Sequence, residues 1–448
     1  MAIEIPSLIR KPAIRLVDRA RRTDALKLLP GLLESQWWEP AKLELLQRAR
    51  LAELGRFCVE EVPYYRDLFA KTGLGELTPE SLEKLPLMSK EIIRREGKAL
   101  RSNSFDRWQP RPKSTSGSTG MPLNYFLDRP SHSFQWAQLW RGWEQMGYLP
   151  GDLYATLSGG SLLPEKVDLK QKIYLALSRA IHLPSYHLTD TIMDEYVKIL
   201  RRKTVGFLYG YPSSVGIFAE YLLGRKDRVM PMRAIFTTSE AMSPQTREVI
   251  EKAFGCPVID TYGCNDGGIY SFECEHGEGY HVGMESVFVE ILDDDGRRLP
   301  DGETGNIVTT NLPIRAMPLM RYMTGDVGAI SREPCVCGRG LLRIVKLQGR
   351  DRDVILTPAG RKVHGAFFNH FEPFYHADWL KRFQVYQPEL KVLILRLEVH
   401  REPTAAERQT ILDELLQGLG EMDFRLEIVD SIELTRTGKF RVVISDLS

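Results

Sequence analysis

Residues 234–261 read AIFTTSEAMSPQTREVIEKAFGCPVIDT. The run 234–238 is apolar and of strand length, and it ends in polar residues. Ser243 stands where a helix N-cap belongs, Pro244 fits the first helical turn, and Gly255 follows the last periodic residue. A second short strand-like run, 257–261, comes next. Strand, capped helix, strand is the repeating unit of a parallel sheet covered by helices. The same alternation extends upstream. A run at 153–157 precedes Ser158-Gly159-Gly160, a helix is expected over 190–201, a run at 206–209 precedes Gly210-Tyr211-Pro212, and a helix follows over 213–223. The fold class is therefore α/β, with functional loops expected at the carboxyl ends of the strands.

The flanks read differently. Residues 1–100 are mostly helical in pattern: 41–56 carries leucines at helical spacing, and Thr78-Pro79 and Ser89-Lys90 look like helix starts. A long helix is expected over 131–146, bearing Phe134, Trp136, Trp140 and Trp143. From 280 to 350 the pattern turns to β, as a meander or small barrel-like region. A charged stretch, Gly349-Arg350-Asp351-Arg352-Asp353, marks a boundary. Beyond it a small α+β domain is expected, with strands at 390–399 and 425–429 around a helix at 404–419. The division is a large domain over 1–350, including a β region at 274–340, and a small mobile domain over 351–448.

With 448 residues there is material for two or three cores, and a formal net charge of +1 gives no global reason to bind nucleic acid. No apolar run is long enough for a transmembrane helix. Residues 3–22 are basic and weakly amphipathic, which fits a solvated helix face better than a membrane-surface helix. There is no secretory apolar segment at the N-terminus, so a reducing, cytoplasmic setting is expected for the six cysteines.

The stretch Lys113-Ser-Thr-Ser-Gly-Ser-Thr-Gly-Met-Pro122 is crowded with hydroxyls and carries two glycines. Such a loop presents backbone N–H groups and hydroxyl donors to phosphate oxygens. It is not a Walker A loop, since Met121 follows Gly120. A flexible linker is the rival reading. Four further polar clusters stand downstream: Thr237-Thr238-Ser239-Glu240-Ala241, Asp260-Thr261-Tyr262-Gly263-Cys264-Asn265-Asp266, Arg321-Tyr322-Met323-Thr324-Gly325-Asp326, and Thr435-Arg436-Thr437-Gly438-Lys439.

In this order and spacing the set resembles the adenylate-forming acyl ligases, and within them the branch of phenylacetate–CoA ligase and CapK-like proteins. The resemblance spans residues 113–439 and implies ATP, Mg²⁺ and coenzyme A as reactants and cofactors. Ser116, Gly117, Ser118, Thr119 and Gly120 would hold the ATP phosphates. Ser239, Glu240 and Ala241 would line the adenine side, with Asp260 and Gly263 also at the nucleotide, and Tyr262 would stack on the adenine or border the acyl pocket. Asp266 stands where the family has Glu and would bind Mg²⁺. Asp326 would accept the ribose hydroxyls, with Arg350 next to the nucleotide. Asp351 would be the hinge and Lys439 the catalytic lysine, with Asp266 and Thr119 also catalytic. Leu123 occupies a place where the family often has a lysine.

Cys274, His281, Cys335 and Cys337 form a Cys₃His set suited to structural zinc, with His276 as the alternative imidazole. Members of the resembling branch show a similar pattern. For the acid, Tyr209, Tyr211, Phe236, Gly159 and Gly160 lie where a pocket would form, and the aromatics would suit an aryl or arylacetic acid. The acceptor is coenzyme A or, in a CapK-type alternative, an amine or hydroxyl; a nucleotide-binding scaffold without activity is a third reading. A homodimer is the family-level expectation.

Overall fold

The computed structural model describes residues 7–114, 123–158, 169–185, 188–225, 230–350, 354–360, 362–364, 366–369, 371–375, 377–433 and 440–447. A short hairpin of Arg111–Ser114 (β1) and Asn124–Leu127 (β2) leads into the main sheet. Five parallel strands follow: Tyr154–Ser158 (β3), Ala180–Pro184 (β4), Phe207–Gly210 (β5), Ala234–Thr238 (β6) and Val258–Cys264 (β7). Six antiparallel strands continue it: Ile269–Glu273 (β8), Tyr280–Val282 (β9), Val287–Leu292 (β10), Gly305–Asn311 (β11), Tyr322–Ser331 (β12) and Arg343–Arg350 (β13). The resulting sheet has eleven strands in the order β10-β11-β12-β13-β9-β8-β7-β6-β5-β3-β4. The β region of the sequence is thus a meander hydrogen-bonded through β13 and β9 to the parallel strands, and not a separate barrel.

The parallel strands alternate their side chains between two buried layers. Leu157, Leu208, Ile235 and Val258 face the helices Asp190–Lys203, Pro212–Leu223 and Pro244–Phe254. Tyr154, Phe207, Phe236 and Ile259 face the helix Arg129–Glu144 and the N-terminal helices. Both faces being covered explains why these strands read as continuous apolar runs. The capped helix forms as its sequence dictates: Ser243 Oγ accepts from Thr246 N–H at 3.1 Å, and Gly255 closes it at φ +61°. At Thr78 the expected helix shrinks to a 3₁₀ turn, Ser81–Lys84. Leu85 precedes Pro86, which drives it to an extended conformation and stops the helix.

The helix Arg129–Glu144 is pinned from below. Arg141, fully buried, pairs with Glu285 at 2.8 Å, and Trp143 stacks on Phe236 with centroids 4.7 Å apart. The C-terminal part has its own core, with Val354–Leu356 (β14) and Lys362–His364 (β15) preceding a four-stranded sheet. That sheet contains Leu380–Glu389 (β16), Val392–Val399 (β17), Asp423–Val429 (β18) and Val443–Ser445 (β19), in the order β18-β17-β16-β19, with the helix Ala405–Leu419 against it. Among the described residues no helix is long and apolar enough to cross a membrane.

Candidate active site

Three of the polar clusters, at 237–241, 260–266 and 321–326, meet at the carboxyl ends of β6 and β7, where the sheet passes from parallel to antiparallel pairing. Ser239, just past β6, holds a left-handed φ of +72°, unusual for a residue with a Cβ and a form of strain that gathers at functional turns. The turn delivers Glu240 to the N-terminus of the helix Pro212–Leu223, where Oε2 accepts from Ser213 N–H at 3.0 Å. Its other oxygen accepts from the backbone N–H of Phe440, also at 3.0 Å. One carboxylate therefore joins the large sheet's site to the end of the C-terminal region. Ala241 is exposed beside it.

Two further carboxylates face each other across β7 and β12. Tyr262 donates its hydroxyl to Asp326 Oδ2 at 2.8 Å. Asp266 accepts from the Tyr322 hydroxyl and, at 2.9 Å, from the Cys264 thiol. Burial, followed by the nearby carboxylates, holds both tyrosines well above the usual phenol range, so they remain donors. The tight turn after Asp266 needs glycine: a Cβ on Gly268, at φ +70°, would lie 2.2 Å from the Asn311 amide. Arg350, at the end of β13, is paired in register with Asp326.

Several expected site residues do other work. Asp260 is buried, accepting from Thr237 Oγ1 at 2.6 Å and from the Tyr280 hydroxyl at 2.8 Å; it braces strands instead of facing a ligand. Burial pushes its carboxyl up, against those two hydrogen bonds. Phe236 is sealed between Trp143 and Phe207, and Tyr211 is fully buried, so these aromatics are core. Tyr209 does border a pocket, as do Ser239 and Gly263. Leu123 packs in the core of the N-terminal helices, where a lysine's charge would be desolvated. Ser116, Gly117, Ser118, Thr119, Gly120, Gly159, Gly160, Asp351 and Lys439 lie outside the described residues.

The pocket itself has walls that the sequence did not single out. Gln135 and Gln138 come from the helix Arg129–Glu144, and Asn265, Tyr270 and Ser271 from β8 and the turn before it. A signal was present: two glutamines three residues apart on a helix whose other marked residues are aromatic.

A second cluster gathers about the end of β8 and β9. The ligand atoms of Cys274, His281, Cys335 and Cys337 all lie within 4.8 Å of one another. Cys274 Sγ is 3.7 Å from Cys335 Sγ, and Cys337 Sγ is 3.3 Å from His281 Nε2. A tetrahedron with metal–sulfur bonds of about 2.3 Å has sulfur–sulfur edges of about 3.8 Å, so the spacing fits zinc. His276 is exposed and is not among the four. Burial pushes the Cys274 thiol up to about 12. Burial also raises Cys337, but the Arg339 N–H and guanidinium outweigh it and draw its thiol below the ordinary value. The loop carrying Cys335 and Cys337 docks on the N-terminal helices: Gly340 N–H bonds Gln36 O at 3.0 Å, and Arg339 Nε reaches Gln36 Oε1 at 3.0 Å.

Comparison with known proteins agrees with this arrangement. Residues 115–312 match the AMP-binding enzyme family and residues 355–446 the CapK C-terminal domain. The chain is 24% identical over 415 residues to Protein CapK of Staphylococcus aureus, covering 90% of this chain and 89% of that one. It is 26% identical over 326 residues to a phenylacetate-coenzyme A ligase of Thermus thermophilus, covering 70% and 72%. The crystal structure of 2-hydroxyisobutyryl-CoA ligase in its postadenylation state superposes with a TM-score of 0.71 at 20% identity, covering 89% of each chain; at that identity the likeness is one of fold. Residues 115–312 thus carry an AMP-binding enzyme domain and residues 355–446 a CapK C-terminal domain, and the relatives the chain matches are CapK and the phenylacetate-coenzyme A ligases.

Proposed function

We propose that the protein is an ATP-dependent, AMP-forming ligase. A substrate carboxylate oxygen attacks the α-phosphorus of ATP, pyrophosphate leaves, and an acyl-adenylate forms. The thiol of coenzyme A then attacks the acyl carbonyl and AMP leaves. The observation that carries this reading is the Phe440 N–H bond to Glu240, which ties the residue after Lys439 to the carboxylate beside Ser239. Lys439 would neutralise charge as the adenylate forms. Asp326, oriented by Tyr262, would accept the ribose hydroxyls. Residues 116–120 would wrap the phosphates, and Arg350, opposite Asp326, would lie near the nucleotide.

Asp266 suits Mg²⁺ because its hard oxygens each hold one protein donor and retain a second lone pair. The metal would offset phosphate charge. Zinc at Cys274, His281, Cys335 and Cys337 would fasten the β12–β13 loop to β8 and β9 and play no chemical part. In this reading residues 351–448 swing about Asp351 between the half-reactions, carrying Lys439 away once the adenylate has formed.

A second acceptor has support from the C-terminal match to the CapK domain and from the CapK relative that spans nearly the whole chain. There an amine or hydroxyl replaces the thiol. Carboxylate-dependent ATP–pyrophosphate exchange over a panel of acids tests adenylation, and AMP release with and without coenzyme A tests the acceptor. No exchange with any acid sinks the ligase reading. Exchange without coenzyme A consumption selects the second acceptor.

A further inference from the structure

Resting on the adenylation reading, we propose that Glu240 is a positioning residue: its carboxylate latches the backbone next to Lys439 onto the large domain for adenylation, and releases it for the second half-reaction. Two of its hydrogen bonds differ in standing. Oε2 accepts from Ser213 N–H at 3.0 Å, and both residues belong to the large domain. That bond puts a negative charge at the N-terminus of the helix Pro212–Leu223, where unpaired N–H groups and the helix dipole favour it. Oε1 accepts from Phe440 N–H, also at 3.0 Å, across 200 residues of chain. The helix bond and the left-handed turn at Ser239 fix the side chain, so the second oxygen is presented as a preformed acceptor. The Phe440 N–H belongs to the peptide group shared with Lys439, so the latch grips the backbone of that lysine.

The rest of this contact holds weakly. Between described residues no other hydrogen bond joins the large domain to the chain from 354 onward. Glu220, two turns further along the same helix, lies near Arg382 and Lys381 on β16. Those cations are already paired inside the C-terminal sheet, Lys381 with Glu398 at 2.7 Å and Arg382 with the same carboxylate at 3.5 Å. Burial pushes the Glu220 carboxyl up, against Arg382 and Lys381, and Glu398 adds to the rise. Its net pull on the sheet is therefore small, and the bond to Glu240 decides the docking. A hydrogen bond to a carboxylate biases a two-state equilibrium by roughly 10–100-fold. That is enough to make the docked state dominant and small enough to break in every turnover.

The test removes the donor alone. Phenyllactate installed in place of Phe440 turns its peptide bond into an ester, which deletes the N–H and keeps Glu240, the helix cap and the phenyl ring. Single-turnover adenylation should fall by roughly 10–100-fold, while thioester formation from supplied acyl-adenylate keeps its rate or gains. KM for ATP should stay within about twofold. In Glu240→Ala the ratio of the two half-reactions, taken within the variant so that general loss cancels, should move the same way. Both half-reactions unchanged, both reduced alike, or a loss confined to KM for ATP overturns the proposal; the ester decides alone if Glu240→Ala does not fold. Domain position is read apart from chemistry, by single-molecule energy transfer between dyes at the exposed positions of Glu195 and Gln417, on the helices Asp190–Lys203 and Ala405–Leu419. The ratio of docked to undocked molecules should fall by about tenfold or more in the ester. Equal ratios overturn the latch. A shifted ratio in a protein that supports exchange with no acid upholds the latch while the ligase reading falls.

Discussion

Asp326 and Asp266 rest against protein hydroxyls and a thiol, whereas Cys274, Cys335 and Cys337 rest mainly against one another and a single imidazole. Both clusters hang on the same sheet, yet their balance of donors and acceptors is opposite. Around the carboxylates the described side-chain contacts run from neutral donors, Tyr262, Tyr322 and Cys264, to carboxylate acceptors that ligand hydroxyls can join. Around the sulfurs the groups are close enough to share a cation and far too weak as donors to satisfy one another. In the proposed reading the first arrangement serves turnover and the second permanence.

The largest expected effect attacks the permanent cluster. Cys335→Ser should reduce bound zinc to well below one equivalent and cost more than ~4 kcal/mol of stability, read as a lowered melting temperature. Wild-type protein, replete with metal, that holds no zinc would erase the contrast. Next is the exchangeable cluster. Asp326→Ala should lower kcat/KM for adenylation by roughly 10²–10³ while leaving the melting temperature nearly in place; a large thermal shift would make that carboxylate structural too. Lys439→Ala should lose adenylation by a similar factor, roughly 10²–10³, yet keep most thioester formation from supplied acyl-adenylate. Equal loss of both halves would rule out a swinging domain.

Smaller still is Tyr262→Phe, which removes one donor from Asp326 and should raise KM for ATP by about tenfold or less. An unchanged KM would mean the tyrosine does not orient the carboxylate. The smallest effect concerns His132, whose Nε2 accepts from Trp136 Nε1 at 3.1 Å. Burial, then Arg111, Lys113 and Arg21, holds its imidazole down to about 3. The folded value lies below the unfolded one, so the unfolded chain binds more protons between them, and stability is lost as pH falls from about 6.5 toward 3. Between pH 7 and 5 the wild type should lose roughly 1–2 kcal/mol that His132→Gln does not lose. Parallel melting curves for the two proteins would show the ring is not strained by its surroundings.

The parallel strands and their capped helices were legible because local signals agreed: Ser243, Pro244 and Gly255 each specify one end of one helix. The Gly-rich turns that carry Asp266 and Asp326 were legible as turns, and the ligand roles of the two carboxylates belong to the proposal. The Cys₃His set was legible from ligand type, although only the fold decides for His281 over His276. What stayed hidden depends on which face a side chain takes. Phe236 and Tyr209 share a face of the sheet and both meet Trp143, Phe236 stacked flat and Tyr209 edge-on, yet only Tyr209 reaches the pocket. Asp260 reads as a ligand carboxylate until Tyr280, from a strand not yet formed at that point of the chain, reaches it. Gln135 and Gln138 meet Asn265 and Tyr270 only after the helix has crossed the sheet.

Asp260 also bears on how such an enzyme could change its diet. One buried carboxylate keys Thr237 on β6 to Tyr280 on β9, while its own backbone N–H is held by Glu273 at the end of β8, which is gripped in turn by Arg247. Four strands are locked in step under the pocket, so its floor cannot be widened by degrees. If the pocket takes the acid, room for a bulkier substrate would come from the helix above, at Gln135, Gln138 and Leu139. Divergence in this lineage would then be written on a single helical face, while the nucleotide machinery beneath is inherited whole.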